Sequence, residues 1–266
     1  MFSWSKDKIM LCSSTDPKTV LCYGDSNTWG HDAATSHRFA PNVRWPGVVQ
    51  NILTTTTVNI IEAGLNGRTF ATCDPQCTWL APNADAGGRD CNGRMSLMPV
   101  LHSAKPVHIL VLALGVNDLK SRFSLTPKDI ASGCGLLIDD VRASGLLCPD
   151  GSKGHCTGPA GLEGVAIETT ETNGGGTNKA PKIVVVAPPP ITNEKVIPDF
   201  ANGGIQRSLE LANELEDLCR VKRVDGFIRG GDLSGCVCSE TDGIHLTAEA
   251  HAALGARVAE VVQSLL

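Results

Sequence analysis

Short runs of apolar residues recur along the chain, separated by stretches whose apolar positions fall every three or four residues. Residues 19–23, 57–62, 107–114, 182–187 and 223–228 are mostly β-branched or aliphatic and are bounded by Gly, Pro, Asn or Asp. Runs of this length without polar alternation predict strands buried on both faces. Between them, Ile130, Leu137, Ile138 and Val141 in residues 126–144 stand at helical spacing, as do Ile205, Leu209, Ala212 and Leu215 in residues 205–219. These predict crossover helices. Thr247 is a good N-cap for a last helix, and Leu254, Val258, Val261 and Leu265 give that helix one apolar stripe to lay on the sheet. The alternation predicts an α/β fold, with helices covering both faces of a parallel sheet.

Two segments break the pattern. Residues 147–180 are rich in Gly, Thr, Asn and Pro, with Gly174, Gly175 and Gly176 in a row, and predict a surface insertion. Residues 73–94 are also irregular and fall between the second and third strands, where a functional loop can sit. The resulting organisation is an N-terminal extension over residues 1–18 and a single domain over residues 19–266, with the insertion at about residues 147–180.

Composition narrows the partners. With 42% hydrophobic and 19% charged residues among 266, the chain has the balance of an ordinary self-folding protein. A formal charge of -5 without clustered Lys and Arg argues against a nucleic-acid partner. The longest apolar run, residues 107–114, is too short to span a bilayer, and residues 1–18 are polar and mixed in charge, unlike a secretory signal. No membrane partner and a cytoplasmic location are the expectation. Eleven cysteines are an odd count, and several fall within predicted strands and helices, so they read as free thiols. Neither Cys148, His155 and Cys156 nor Cys73, Cys77 and Cys91 make a full ligand set at familiar zinc spacing, so no metal and no other cofactor is expected.

Chemistry concentrates where strands end. The first strand runs into Gly24-Asp25-Ser26-Asn27-Thr28-Trp29-Gly30, which puts a serine at the carboxyl edge of the sheet, where open α/β sheets bind ligands. Near the C-terminus, Asp242-Gly243-Ile244-His245 precedes the last helix. A serine hydroxyl needs a base, an imidazole suits that task, and a carboxylate three residues upstream can hold the far ring nitrogen. Gly64-Leu65-Asn66-Gly67-Arg68-Thr69 follows the second strand, and Gly115-Val116-Asn117-Asp118 follows the third. Gly67 offers a bare N–H and Asn117 a side-chain amide, which with the N–H of Ser26 make three donors for an oxyanion. Each motif alone has a plainer reading as a helix cap or glycine turn. Asp25, Asn27, Arg68 and Asp118 are secondary candidates, with Arg68 either buried against a carboxylate or exposed on its loop.

In this order the four segments resemble blocks I, II, III and V of the SGNH (GDSL-like) hydrolase family. The bacterial arylesterase and acyltransferase branch is most similar. It shares the GDS-x-TWG opening, the segment from Arg38 to Trp45, the Gly115 to Lys120 block and the prolines Pro188 to Pro190. The resemblance implies a three-layer α/β/α sandwich with a five-stranded parallel sheet in flavodoxin-like order 2-1-3-4-5. It implies Ser26 as nucleophile, Asp242 and His245 as its acid-base pair, and Ser26, Gly67 and Asn117 as the oxyanion hole. Activity would then be a serine esterase acting on short acyl or aryl esters through an acyl-enzyme. The partners are a small-molecule ester and a water or alcohol acceptor, with room for a homo-oligomer. A carbohydrate O-acetylesterase would use the same triad, and a flavodoxin-like phosphate or nucleotide binder would use the Gly24 to Gly30 loop as an anion cradle. Asn27 replaces the Leu of the family name, a change expected at the pocket rim. His31 stands where acyltransferase-like members carry an aromatic residue.

Overall fold

The structure, a computed structural model, describes residues 17–54, 57–77, 91–144, 180–193, 197–201 and 203–266. Five strands, β1 (Lys18–Gly24), β2 (Val58–Gly64), β3 (Ile109–Ala113), β4 (Lys182–Ala187) and β5 (Gly226–Arg229), form one sheet in the order β2-β1-β3-β4-β5. All four pairings are parallel. This is the α/β architecture and strand order expected.

The period-2 alternation of side chains splits the core into two layers. Leu21, Tyr23, Leu110, Leu112, Ile183 and Val185 face one side, where α3 (Gly93–Ser103), α4 (Pro127–Ala143) and α5 (Gly204–Lys222) cover them. Val20, Cys22, Ile109, Val111, Val184 and Val186 face the other, beneath α2 (Trp45–Ile52) and α6 (Ala248–Leu265). Helix starts follow local chemistry. Thr126 and Asp129 form a reciprocal capping box on α4, and the Thr247 side chain accepts the Ala250 N–H at the start of α6.

The structure departs from the expectations in several places. Only the inner strands are buried on both faces; β2 and β5 are edge strands and are largely half-buried. The last strand starts at Gly226 rather than residue 223, because α5 runs on to Lys222 and Arg223 terminates it in the left-handed conformation, φ 51°. Helices α2 and α3 carried no clear sequence signal. Pro46 opens α2 after an N-cap without a side-chain bond, and α3 contains Pro99 and grows out of the irregular stretch. β1 also begins at Lys18, inside the expected extension. The insertion lies outside the described residues except for Ala180. Among the described residues no helix is long and apolar enough to cross a membrane.

The cysteines divide. Cys22, Cys134, Cys219, Cys236 and Cys238 are buried free thiols and Cys73 is an exposed one, but Cys77 and Cys91 are joined as a disulfide. The fold brings this pair together because the chain after β2 returns to pair Thr69 with Asn92. That pairing is invisible to a count of cysteines.

Candidate active site

The sheet register sets the site. Gly24, Gly64 and Ala113 are paired across β1, β2 and β3, so the segments that follow them leave the sheet at one level of its carboxyl edge. Gly24 is required by close approach: a Cβ there would lie 2.7 Å from the Ala113 carbonyl oxygen and would strike Thr28. Asp25 then caps the single-turn helix α1 (Ser26–Trp29) by accepting the Asn27 N–H at 2.9 Å, and Gly30 closes the turn at φ 88°. Ser26 is thereby fixed at the first helical position, 6% exposed.

The opposing imidazole is held by a tight loop. One oxygen of Asp242 accepts the backbone N–H groups of Ile244 and His245, both at 3.0 Å, and the other accepts His245 Nδ1 at 2.6 Å. Gly243 turns the chain at φ 75°, in contact with the Asn193 backbone that a Cβ would overlap. His245 Nε2 lies 2.9 Å from Ser26 Oγ. Although burial raises the Asp242 carboxyl, the bonds from the His245 ring and from the His245 and Ile244 N–H groups outweigh it and hold the pKa at about 2. The carboxylate is therefore ionised at neutral pH and takes a proton-bearing Nδ1, which leaves Nε2 as the acceptor facing the hydroxyl.

Among the described residues no protein group accepts the N–H of Ser26 or of Gly67, the latter at φ 82°. Asn117 is buried and donates one amide hydrogen to the Arg68 carbonyl at 3.1 Å, which orients the side chain and leaves its second hydrogen. Arg68 is buried; it attracts the Asp25 carboxylate through charge, while its hydrogen bonds go to main-chain carbonyls. Its Nη1 donates to Gly24 at 2.7 Å and Ala63 at 2.5 Å, and its guanidinium lies 4.0 Å over the Tyr23 ring. It ties the ends of β1 and β2 together.

Asp118 also acts on backbone. Its two oxygens accept the Phe70 N–H at 3.0 and 3.2 Å, anchoring the loop that carries Gly67. Burial, with a contribution from Asp25, raises its pKa to about 7. Burial likewise raises Asp25 to about 6, against the lowering effect of the Asn27 N–H and His245.

Asn27 lines a small cavity with Asp25, Thr28 and Leu246, and it is also tied to backbone. Its Oδ1 accepts the Leu246 N–H at 2.9 Å and its Nδ2 donates to the Ile244 carbonyl at 3.4 Å, so it grips the backbone on both sides of His245. Hydrogen-bonding capacity at the position was the available signal, since leucine has none. His31 lies nearer the site than its place after α1 suggests: its ring centroid is 4.3 Å from that of His245. Of the two cysteine sets weighed for metal, Cys77 and Cys91 are consumed by the disulfide, and Cys148, His155 and Cys156 lie outside the described residues.

No protein-family model matches the sequence, and neither does any curated protein. Solved structures do. The aryl esterase of M. smegmatis superposes with a TM-score of 0.71 at 33% identity, over 94% of this chain and 100% of that one. A carbohydrate acetylesterase family member from Sinorhizobium meliloti gives 0.69 at 35% identity, over 94% and 99%. A G-D-S-L family lipolytic protein of Desulfitobacterium hafniense DCB-2 gives 0.55 at 11% identity, over 92% and 99%, a likeness of fold alone. Fold and neighbours together define an ester hydrolase built on a parallel α/β sheet. The chain belongs to the SGNH/GDSL hydrolase family.

Proposed function

We propose that this protein is a serine esterase for short acyl or aryl esters, with Ser26 as nucleophile and His245 and Asp242 as its base and orienting acid. The observation that carries this reading is the unbroken line from Ser26 Oγ to His245 Nε2, 2.9 Å, and from His245 Nδ1 to Asp242, 2.6 Å. His245 takes the serine proton as Oγ attacks the acyl carbon, and the Asp242 carboxylate stabilises the imidazolium that forms. The oxyanion is received by the N–H groups of Ser26 and Gly67 and the free amide hydrogen of Asn117. His245 returns the proton to the leaving alcohol, and an acyl-enzyme on Ser26 remains. Water, deprotonated by the same imidazole, then releases the acid; an alcohol in its place gives acyl transfer.

The similarity to a carbohydrate acetylesterase favours a second reading, in which the alcohol portion is an acetylated sugar and the triad is unchanged. A phosphate or nucleotide binder fits less well, because α1 has four residues and such a role leaves His245 and Asp242 unused. A panel of p-nitrophenyl esters from acetate to octanoate, run beside an acetylated sugar and with alcohol acceptors added, separates these readings. Ser26→Ala should lower turnover by roughly 10⁴-fold or more and abolish labelling by a fluorophosphonate probe. Labelling that survives in Ser26→Ala, or fastest turnover of hexanoate and longer esters, refutes the proposal.

A further inference from the structure

His31 has no task in the acyl transfer just described, yet it is held firmly beside it. Its backbone N–H donates to the Ser26 carbonyl at 3.0 Å, and it pairs with Arg38 in an antiparallel bridge, so the imidazole stands on a fixed turn. Among the described residues no group hydrogen-bonds to its ring. The ring faces that of His245 at 4.3 Å, tilted by 50°. One potential ligand atom from each of His31, Asp242 and His245 lies within 4.8 Å of the other two, and all three side chains are half-buried, open to solvent on one side.

Two neutral imidazoles and a carboxylate, with a fourth position left to water, are the donor set of an open zinc centre. Tetrahedral zinc, with bonds of about 2.0–2.1 Å, sets its ligands roughly 3.4 Å apart, a spacing that falls inside the 4.8 Å limit on these three atoms. Calcium and magnesium are poor fits, because they take six or more oxygen ligands or near-ideal octahedral geometry.

We propose that His31, Asp242 and His245 form a binding site for a divalent transition metal of the zinc type, and that the bound ion reversibly blocks the esterase. Ligation draws the His245 ring nitrogen and the Asp242 oxygen out of the hydrogen bonds that join them to each other and to Ser26. No base then faces the hydroxyl. The block rests on the catalytic reading above, whereas the binding does not.

Cobalt as a spectroscopic probe, added to EDTA-treated Ser26→Ala protein, tests the site without turnover. The expected result is visible d–d bands with no near-ultraviolet thiolate charge-transfer band, displaced by zinc and not by magnesium. His31→Phe and His31→Gln, each verified as folded by circular dichroism, should bind at least tenfold more weakly. In the esterase assay zinc should inhibit the Ser26-containing protein, EDTA should restore activity, and both His31 variants should need at least tenfold more zinc for half-inhibition. No cobalt bands, a thiolate band, or unchanged metal affinity in both His31 variants overturns the site. Binding as expected without any loss of ester hydrolysis upholds the site and instead sinks the assignment of His245 and Asp242 to catalysis.

Discussion

Replacing Asn27 with leucine sets local hydrogen bonding against the family pattern, since leucine is the residue that gives the family its GDSL name. In this chain Asn27 accepts the Leu246 N–H at 2.9 Å and donates to Ile244 at 3.4 Å. Leu246 is 2% exposed, so its N–H would be left without a partner, at a cost of about 1–3 kcal/mol. The longer bond adds little. A net loss of about 2 kcal/mol would lower the melting temperature by roughly 4–8 °C in a chain of this size. The kinetic effect is larger in proportion, because the grip brackets His245, and a displacement of about 1 Å at a reacting group costs on the order of 10²-fold. For Asn27→Leu, kcat on p-nitrophenyl acetate should therefore fall roughly ten- to a hundredfold with KM little changed. Asn27→Ala removes the same bonds without the bulk of leucine, and agreement between the two separates lost hydrogen bonds from overpacking. Wild-type kcat and melting temperature in Asn27→Leu would falsify the claim that this side chain positions the imidazole.

Asp242→Asn should keep the loop folded but lower kcat by about 10⁴-fold, because an amide favours the wrong imidazole tautomer and no longer balances its charge. Since the Asp242 pKa is about 2, any loss of its stabilising contribution should be confined to the range from about pH 4 down to pH 2, as melting curves in acid would test. Asp118 has the opposite sign. With a folded pKa of about 7, above its unfolded value near 4, its burial costs nothing below pH 4, costs progressively more between pH 4 and 7, and costs most above pH 7. Asp118→Asn should therefore gain melting temperature relative to wild type at pH 8 compared with pH 5. An advantage that shrinks with rising pH would refute this.

The inner strands, the capped helices and the candidate site residues were legible in the residues alone. Buried parallel strands must be apolar on both faces, a Thr before an amphipathic run caps a helix, and a GDS turn with a distant D-x-x-H nominates a nucleophile and a base by residue type and order. The edges were less legible. The start of β5 is hidden in the sequence because no Gly or Pro marks where α5 ends, and Arg223 terminates that helix in the left-handed conformation. Pro99 and the irregular approach mask α3, a helix that buries Leu97 and Leu101. Relations between distant segments came from packing alone. The 2.9 Å approach of Ser26 to His245 crosses 219 positions, the grip of Asn27 on Leu246 crosses as many, and Arg68 hydrogen-bonds the carbonyls of two strands. The bonds of Ser26, of Asn27 and of Arg68 to Gly24 join partners far apart in the chain, which become neighbours only when parallel pairing brings separate strand ends to one edge. Residue identities state what a group can do, and the sheet decides which group it meets.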